Sequence, residues 1–229
     1  MREWQAIFRD RTGAGKVLAE LVARSVPDGS PVVLALPRGG VPVAYEVARA
    51  LGAELDVFLV RKLGLPGQEE LAIGAVATGG VRVLNTHLVA ELQLSPNLID
   101  QIAAREEQEL KRREDLYREG RPRIPVQGRT VILVDDGLAT GASMKAAAQA
   151  LRREGPDRII VAVPVAAEQT CDEFRMQVDA IVCAHTPEPF MGVGIWYTDF
   201  SQTTDQEVQN LLTDAALQHQ AKLQQHNIE

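Results

Sequence analysis

Continuous rather than alternating apolar runs are what most restrict the folds open to this chain. Val32-Val33-Leu34-Ala35-Leu36, Val57-Phe58-Leu59-Val60 and Val131-Ile132-Leu133-Val134 contain no polar residue. A strand with one wet face alternates, whereas a strand covered on both faces needs no polar position. The runs stop at Pro37-Arg38-Gly39-Gly40, at Arg61-Lys62 and at Asp135-Asp136-Gly137. Two further strands are read at Arg158 to Val165 and at 178 to 184. Helical spacing fills the gaps: Val43, Val47, Ala48 and Leu51 share a face before Gly52, an alanine-rich helix runs to about Arg153, and a short helix covers 168 to 177. This alternation predicts an α/β fold with an open, mostly parallel five-stranded sheet flanked by helices.

Residues 63 to 80 are rich in glycine and polar groups, with short β patterns at Ile73 to Ala77 and Val81 to Leu84. They read as a long loop with a hairpin, and a loop of that size in a compact domain is a candidate lid. Ser95-Pro96 starts a long helix, with Ser95 as N-cap. Residues 105 to 123 are mostly charged with alternating signs, and Glu107/Lys111, Glu109/Arg113 and Glu114/Arg118 are spaced four apart with the acid first. This predicts a solvated helix laced by ion pairs. Residues 185 to 202 read as loop, and a final helix starts near Thr204.

The formal charge narrows the function classes. Lys+Arg total 24 against 31 Asp+Glu, a net charge of −7, which argues against a protein that coats nucleic acid through a general basic surface. No apolar stretch is long enough to span a bilayer. The start, Met-Arg-Glu-Trp, lacks an apolar signal core, so a cytoplasmic protein is expected. Cys171 and Cys183 make no disulfide framework and read as small core residues.

The segment 131 to 143 carries the chemistry. Two adjacent carboxylates at a strand end need partners if they leave water, and they suit neighbouring hydroxyls. The small-residue turn that follows leads into a helix, where N–H groups and the helix dipole favour an anion. Thr140 and Ser143 add hydroxyls. Asp-Asp-Gly-x-x-Thr-Gly-x-Ser between an apolar strand and a helix therefore reads as a site for a sugar diol and a phosphate.

Val-Ile-Leu-Val-Asp-Asp-Gly-Leu-Ala-Thr-Gly-Ala-Ser resembles the phosphoribosyl pyrophosphate (PRPP) signature of type I phosphoribosyltransferases. Leu36-Pro37-Arg38-Gly39-Gly40 is similar to that family's pyrophosphate loop, Arg61-Lys62 to its basic pair, and residues 63 to 80 sit where it carries a flexible catalytic loop. The similarity covers about residues 30 to 200. Pro-Arg-Gly-Gly-Val-Pro-Val-Ala and the late Trp-Tyr-x-Asp-Phe resemble a bacterial group within the family that has no established substrate.

The resemblance implies a type I phosphoribosyltransferase fold in one domain, 1–229, with a core of about 30–184, a small hood from 1–29 and 185–229, a lid at 63–80 and an inserted charged helix at about 96–119. It implies that Asp135 and Asp136 hold the ribose 2- and 3-hydroxyls. Gly137, Leu138, Ala139, Thr140, Gly141, Ala142 and Ser143 would cradle the 5-phosphate. Arg38, Gly39 and Gly40 would meet pyrophosphate, with Arg61 and Lys62 as cations. It implies Mg²⁺ bound with PRPP, with Asp135 and Asp136 the candidate protein contacts, and a homodimer. The activity implied is transfer of the phosphoribosyl group to a nitrogenous acceptor with release of pyrophosphate.

Departures from the family pattern matter equally. Ala139 stands where 6-oxopurine enzymes carry an aspartate base, which argues against hypoxanthine or guanine transfer. The lid carries Gln68, Glu69 and Glu70 where orotate-type relatives are basic. Glu69 or Glu70 would then meet Mg²⁺ or the acceptor, and with Lys62 they are the candidate catalytic residues. The rival reading is a non-enzymatic PRPP or nucleotide sensor on the same fold, which the acidic lid favours. Trp196 and Tyr197 lie where the hood covers the acceptor, suited either to stacking on a base or to packing with Trp4 and Phe8. Gly13-Ala14-Gly15-Lys16 lacks the spacing and strand of a P-loop and reads as a helix start. His87, His185, His219 and His226 show no metal-ligand spacing.

Overall fold

The computed structural model describes residues 5–26 and 29–226, without the side chains of Glu70 and His226. In chain order the elements are α1 (Arg11–Ala23), β1 (Val32–Ala35), α2 (Gly40–Leu51), β2 (Glu54–Val57), β3 (Val60–Leu65), β4 (Gln68–Ala77), β5 (Val81–Leu84), α3 (Thr86–Glu91), α4 (Pro96–Arg118), β6 (Thr130–Val134), α5 (Ala142–Arg152), β7 (Arg158–Val165), α6 (Glu168–Arg175), β8 (Ala180–His185) and α7 (Asp205–His226). Five strands pair in the order β2-β1-β6-β7-β8, all parallel. The α/β sheet expected from the apolar runs is therefore present.

The two-faced burial of these strands explains the runs. Val33, Ala35, Ile132, Val134, Ile160 and Ala162 pack with α1, α2, α4 and α7. Their neighbours Val32, Leu34, Val131, Leu133, Ile159 and Val161 pack on the other face with α5 and α6. Side chains alternate across a strand, so a strand covered twice stays apolar throughout. Each fully buried Val, Leu or Ile contributes roughly 1.5–3 kcal/mol of transfer free energy. Gly15 opens the first helix–helix contact, because a Cβ there would lie 2.9 Å from the Val43 carbonyl oxygen. That packing role replaces any P-loop reading of Gly13 to Lys16, and Asp10 caps α1 through the Gly13 N–H at 2.7 Å.

Three expectations are corrected. Val57 to Val60 is not one strand: Val57 ends β2, and the chain crosses through Phe58-Leu59 into β3. Residues 63 to 80 are not a long loop. β3, β4 and β5 form a separate antiparallel sheet of three strands, with Leu63, Ile73 and Val76 buried. The β patterns at 73 to 77 and 81 to 84 marked the β4–β5 hairpin, but β3 and the first half of β4 were hidden by their glycines and polar residues. Gly64 and Gly74 give close strand approach rather than freedom, since a Cβ would strike the Glu69 and Val83 carbonyls. Finally, Cys171 on α6 and Cys183 on β8 form a disulfide, since α6 lies against the strand that follows it.

The charged helix is also less solvated than its composition suggests. Ser95 caps α4, and Ile99, Ile102, Ala103, Leu110 and Tyr117 bury one face. Glu109–Arg113 and Glu114–Arg118 pair at 2.7 and 3.3 Å as expected. Glu107 instead reaches Arg82 of β5 at 2.5 Å. The helix end is fixed by Arg118, buried and 3.0 Å from Asp56 of edge strand β2.

Candidate functional site

In the sheet order the chain passes from β1 outward to β2 and later returns beside β1 as β6. The crevice between the carboxyl ends of β1 and β6 is therefore the topological switch point, where open α/β sheets bind ligands. Both singled-out motifs meet there. Asp135 and Asp136 follow β6, and Pro37 to Gly40 follow β1. A Cβ on Gly40 would lie 2.8 Å from the Val134 carbonyl oxygen and 2.9 Å from Asp135 Cα, and one on Gly39 would fall inside the Asp136 carboxylate. Only glycine lets the two loops approach. The Pro37–Arg38 peptide is cis. Arg38 turns toward Asp205 at the start of α7, 3.6 Å away.

The two carboxylates sit in different environments. Burial and the neighbouring Asp136 charge push Asp135 well above the usual carboxylate range. Its Oδ1 accepts the Asp136 N–H at 2.9 Å. Burial also raises Asp136, opposed by Arg11, whose Nε donates to Oδ2 at 2.8 Å. Two adjacent carboxylates out of water titrate as a pair, and Arg11 makes Asp136 the member that favours its charge.

The turn after them is held from below and open above. The Leu138 N–H bonds the Val165 carbonyl at 2.9 Å, and Thr170 Oγ1 donates to the Ala139 carbonyl at 2.6 Å. Gly141, left-handed at φ 67°, caps α5 without a side-chain bond. Among the described residues, the N–H groups of 140 to 144 meet no protein acceptor, and Lys145 N–H is the first to do so, at Gly141. Thr140, Ala142 and Ser143 are exposed. Unengaged donors at a helix start form an anion site.

A pocket of about 130 Å³ joins Pro37, Arg61, Arg113, Asp135 and Ser143. It adjoins a cleft of about 630 Å³ between β3–β4 and α4, lined by Arg61, Lys62, Glu69, Arg105, Glu106 and Ser143. Helix α4 thus walls the site, which its solvated composition concealed. Arg61 and Lys62 are brought to the cleft on β3, not at the end of a core strand. Arg61 pairs with Glu106 at 2.6 Å, while Lys62 is exposed and forms no ion pair among the described residues. Glu69 folds back on the Gly67 N–H at 3.2 Å. Its own backbone N–H, then that of Gly67, holds the carboxyl below the usual range. Glu70 lies on β4, with its side chain outside the described residues.

Residues before β1 and after β8 also reach the site. Trp196 and Tyr197 are buried at 4% and 5% exposure, with Phe8, Ala14 and Val165. Their rings pack within this small cluster. Trp4, the other suggested neighbour, is outside the described residues. Tyr197 also donates its hydroxyl to the Asp136 carbonyl at 2.6 Å. Arg11 and Tyr197 were not legible as partners of Asp136, because 125 and 61 residues separate them from it.

This fold and site define a class. A phosphoribosyl transferase domain model matches residues 4–188, and the chain belongs to that family. Provisionally named phosphoribosyl transferases from two Mycobacterium tuberculosis strains, H37Rv and CDC 1551 / Oshkosh, are each 47% identical to it over 202 residues. The match covers 88% of this chain, which spans about half, 45%, of those relatives. The crystal structure of TT1426 from Thermus thermophilus superimposes with a TM-score of 0.81 at 46% identity, covering 90% of this chain and 98% of that one. Among the described residues no helix is long and apolar enough to cross a membrane.

Proposed function

We propose that the chain transfers the 5-phosphoribosyl group of PRPP to a nitrogenous acceptor and releases pyrophosphate. One observation carries this reading: a carboxylate pair and a turn of unengaged N–H groups flank the same switch-point crevice. Asp135 and Asp136 accept the ribose hydroxyls, and the N–H groups of 140 to 144, with Thr140 and Ser143, take the 5-phosphate. Gly39 and Gly40 let backbone approach the pyrophosphate, and Lys62, Arg61 and Arg113 face the departing charge. The protein's contribution is orientation and electrostatics, since positive charge grows on the ribose as pyrophosphate leaves.

Among the described residues no cluster of three or more His, Cys, Asp or Glu forms a cage for a metal. Mg²⁺ is commonly held by one or two carboxylates plus substrate phosphates, and Asp135 and Asp136 fit that role beside a pyrophosphate ester. When bound, Mg²⁺ would neutralise charge on the leaving group.

The sensor alternative draws on Glu69, an ionised carboxylate lining the same cleft. Incubation with PRPP, Mg²⁺ and a panel of bases, with pyrophosphate measured, separates the two readings. Release with at least one acceptor is expected. PRPP binding without release for any acceptor would favour the sensor.

A further inference from the structure

We propose that Arg11 is a positioning residue of the ribose site, aiming the Asp136 carboxylate and thereby fastening the hood to the carboxylate pair. The inference rests on the PRPP reading above and deepens it. Arg11 opens α1 and makes three contacts at once. Its Nε donates to Asp136 Oδ2 at 2.8 Å, its Nη1 donates to the Ser201 carbonyl at 2.7 Å, and its guanidinium carbon lies 3.9 Å from the centre of the Phe200 ring. Phe200 in turn packs on Tyr197, with ring centres 5.1 Å apart, and the Tyr197 hydroxyl bonds the Asp136 carbonyl at 2.6 Å. Two hood segments, the start of α1 and residues 197 to 201, therefore converge on one aspartate.

Burial decides what this clasp does. The Arg11 and Asp136 side chains are 12% and 15% exposed. Without Arg11, the shielded Asp136 carboxylate would lose the charge-assisted contact that fixes its orientation. A carboxylate offers about four acceptor positions, and Arg11 Nε and the Asp136 backbone N–H engage part of them. The others are left for a hydroxyl, so the diol can bind without expelling the arginine. Gly39 leaves room for this contact, because a Cβ there would overlap Asp136 Oδ2 and lie 3.3 Å from Arg11 Nε. The fork of a guanidinium is what lets one side chain serve Asp136, Ser201 and Phe200 together, which lysine does not match.

The test is titration calorimetry of the full chain with PRPP and Mg²⁺, on wild type, Arg11→Met, Arg11→Lys, Phe200→Ala, and Arg11→Met in an Asp136→Asn background. We expect Arg11→Met to weaken PRPP by about tenfold or more, the scale of a lost charge-assisted contact. Arg11→Lys should recover part of that loss, because it restores charge but not the fork. Phe200→Ala, which removes one contact of the clasp but keeps the ion pair, should weaken PRPP less than Arg11→Met does. In the Asp136→Asn background Arg11→Met should cost no further affinity, since the partner is already gone. Equal penalties in both backgrounds would mean a merely structural hood residue and would overturn the inference, as would wild-type affinity in Arg11→Met. A wild-type chain that fails to bind PRPP would reject the underlying site reading, and this inference with it.

Discussion

At the residue scale, the carboxylate pair sets function against stability. Asp135 has its folded-state acid strength reduced by burial and by the Asp136 charge. The folded state therefore keeps a proton at pH values where the unfolded chain has released it. Stability from this group is complete below the ordinary aspartate range of about 3.9 and is lost as pH rises toward the folded-state value. Asp135→Asn removes that loss. Its melting temperature at neutral pH should equal or exceed wild type, and the difference should shrink on acidification, as thermal unfolding at a series of pH values would read. A lower melting temperature at neutral pH would contradict the assigned environment. Asp56 is a structural anion. It accepts from Arg118, from Val57 N–H at 2.7 Å and from Ile124 N–H at 3.2 Å, so Asp56→Ala leaves the buried arginine only Glu114, 3.3 Å away, and strips two N–H groups of their acceptor. The expected cost is about 3–5 kcal/mol in denaturant unfolding, and a loss within experimental error would show that Arg118 finds other partners.

At the scale of elements, the turn from 138 to 143 and the β3–β5 sheet carry separate expectations. Crystals grown with sulfate or phosphate should place the anion on the N–H groups of 140 to 144, which meet no protein acceptor among the described residues. Gly141→Ala should lose at least about 1 kcal/mol, because a left-handed residue with a Cβ is strained, and because that Cβ would lie 2.6 Å from Phe174 Cε2. Stability equal to wild type would mean that α6 can move away from the turn. For the β3–β4 hairpin, Glu69→Gln/Glu70→Gln tests the catalytic role expected of these residues. If they act on Mg²⁺ or the acceptor, turnover should fall far more than PRPP affinity, since the effect belongs to the transition state. In a sensor the same change would leave PRPP binding equal or tighter.

At the scale of the molecule, what was legible in the sequence followed from where burial is uniform. β1, β6 and β7 are covered on both faces, so their runs showed directly, and Asp135-Asp136 stood out because charge ends such a run abruptly. The site's walls were hidden for the reverse reason. α4 buries one stripe while its other faces are charged, so Arg105 and Arg113 resembled surface residues. The β3–β5 sheet was obscured by glycines that serve close strand approach yet read as loop punctuation. Arg11 and Tyr197 reach Asp136 only through the tertiary fold. Every role proposed at the crevice depends on the carboxylate pair being the PRPP diol site. The most direct test is calorimetric titration of PRPP with Mg²⁺ into wild type and into Asp135→Asn/Asp136→Asn. Wild type should bind, and the folded double variant should bind about tenfold or more weakly, as the loss of charge-assisted hydrogen bonds to two hydroxyls implies. Unchanged affinity in a folded double variant would contradict the account.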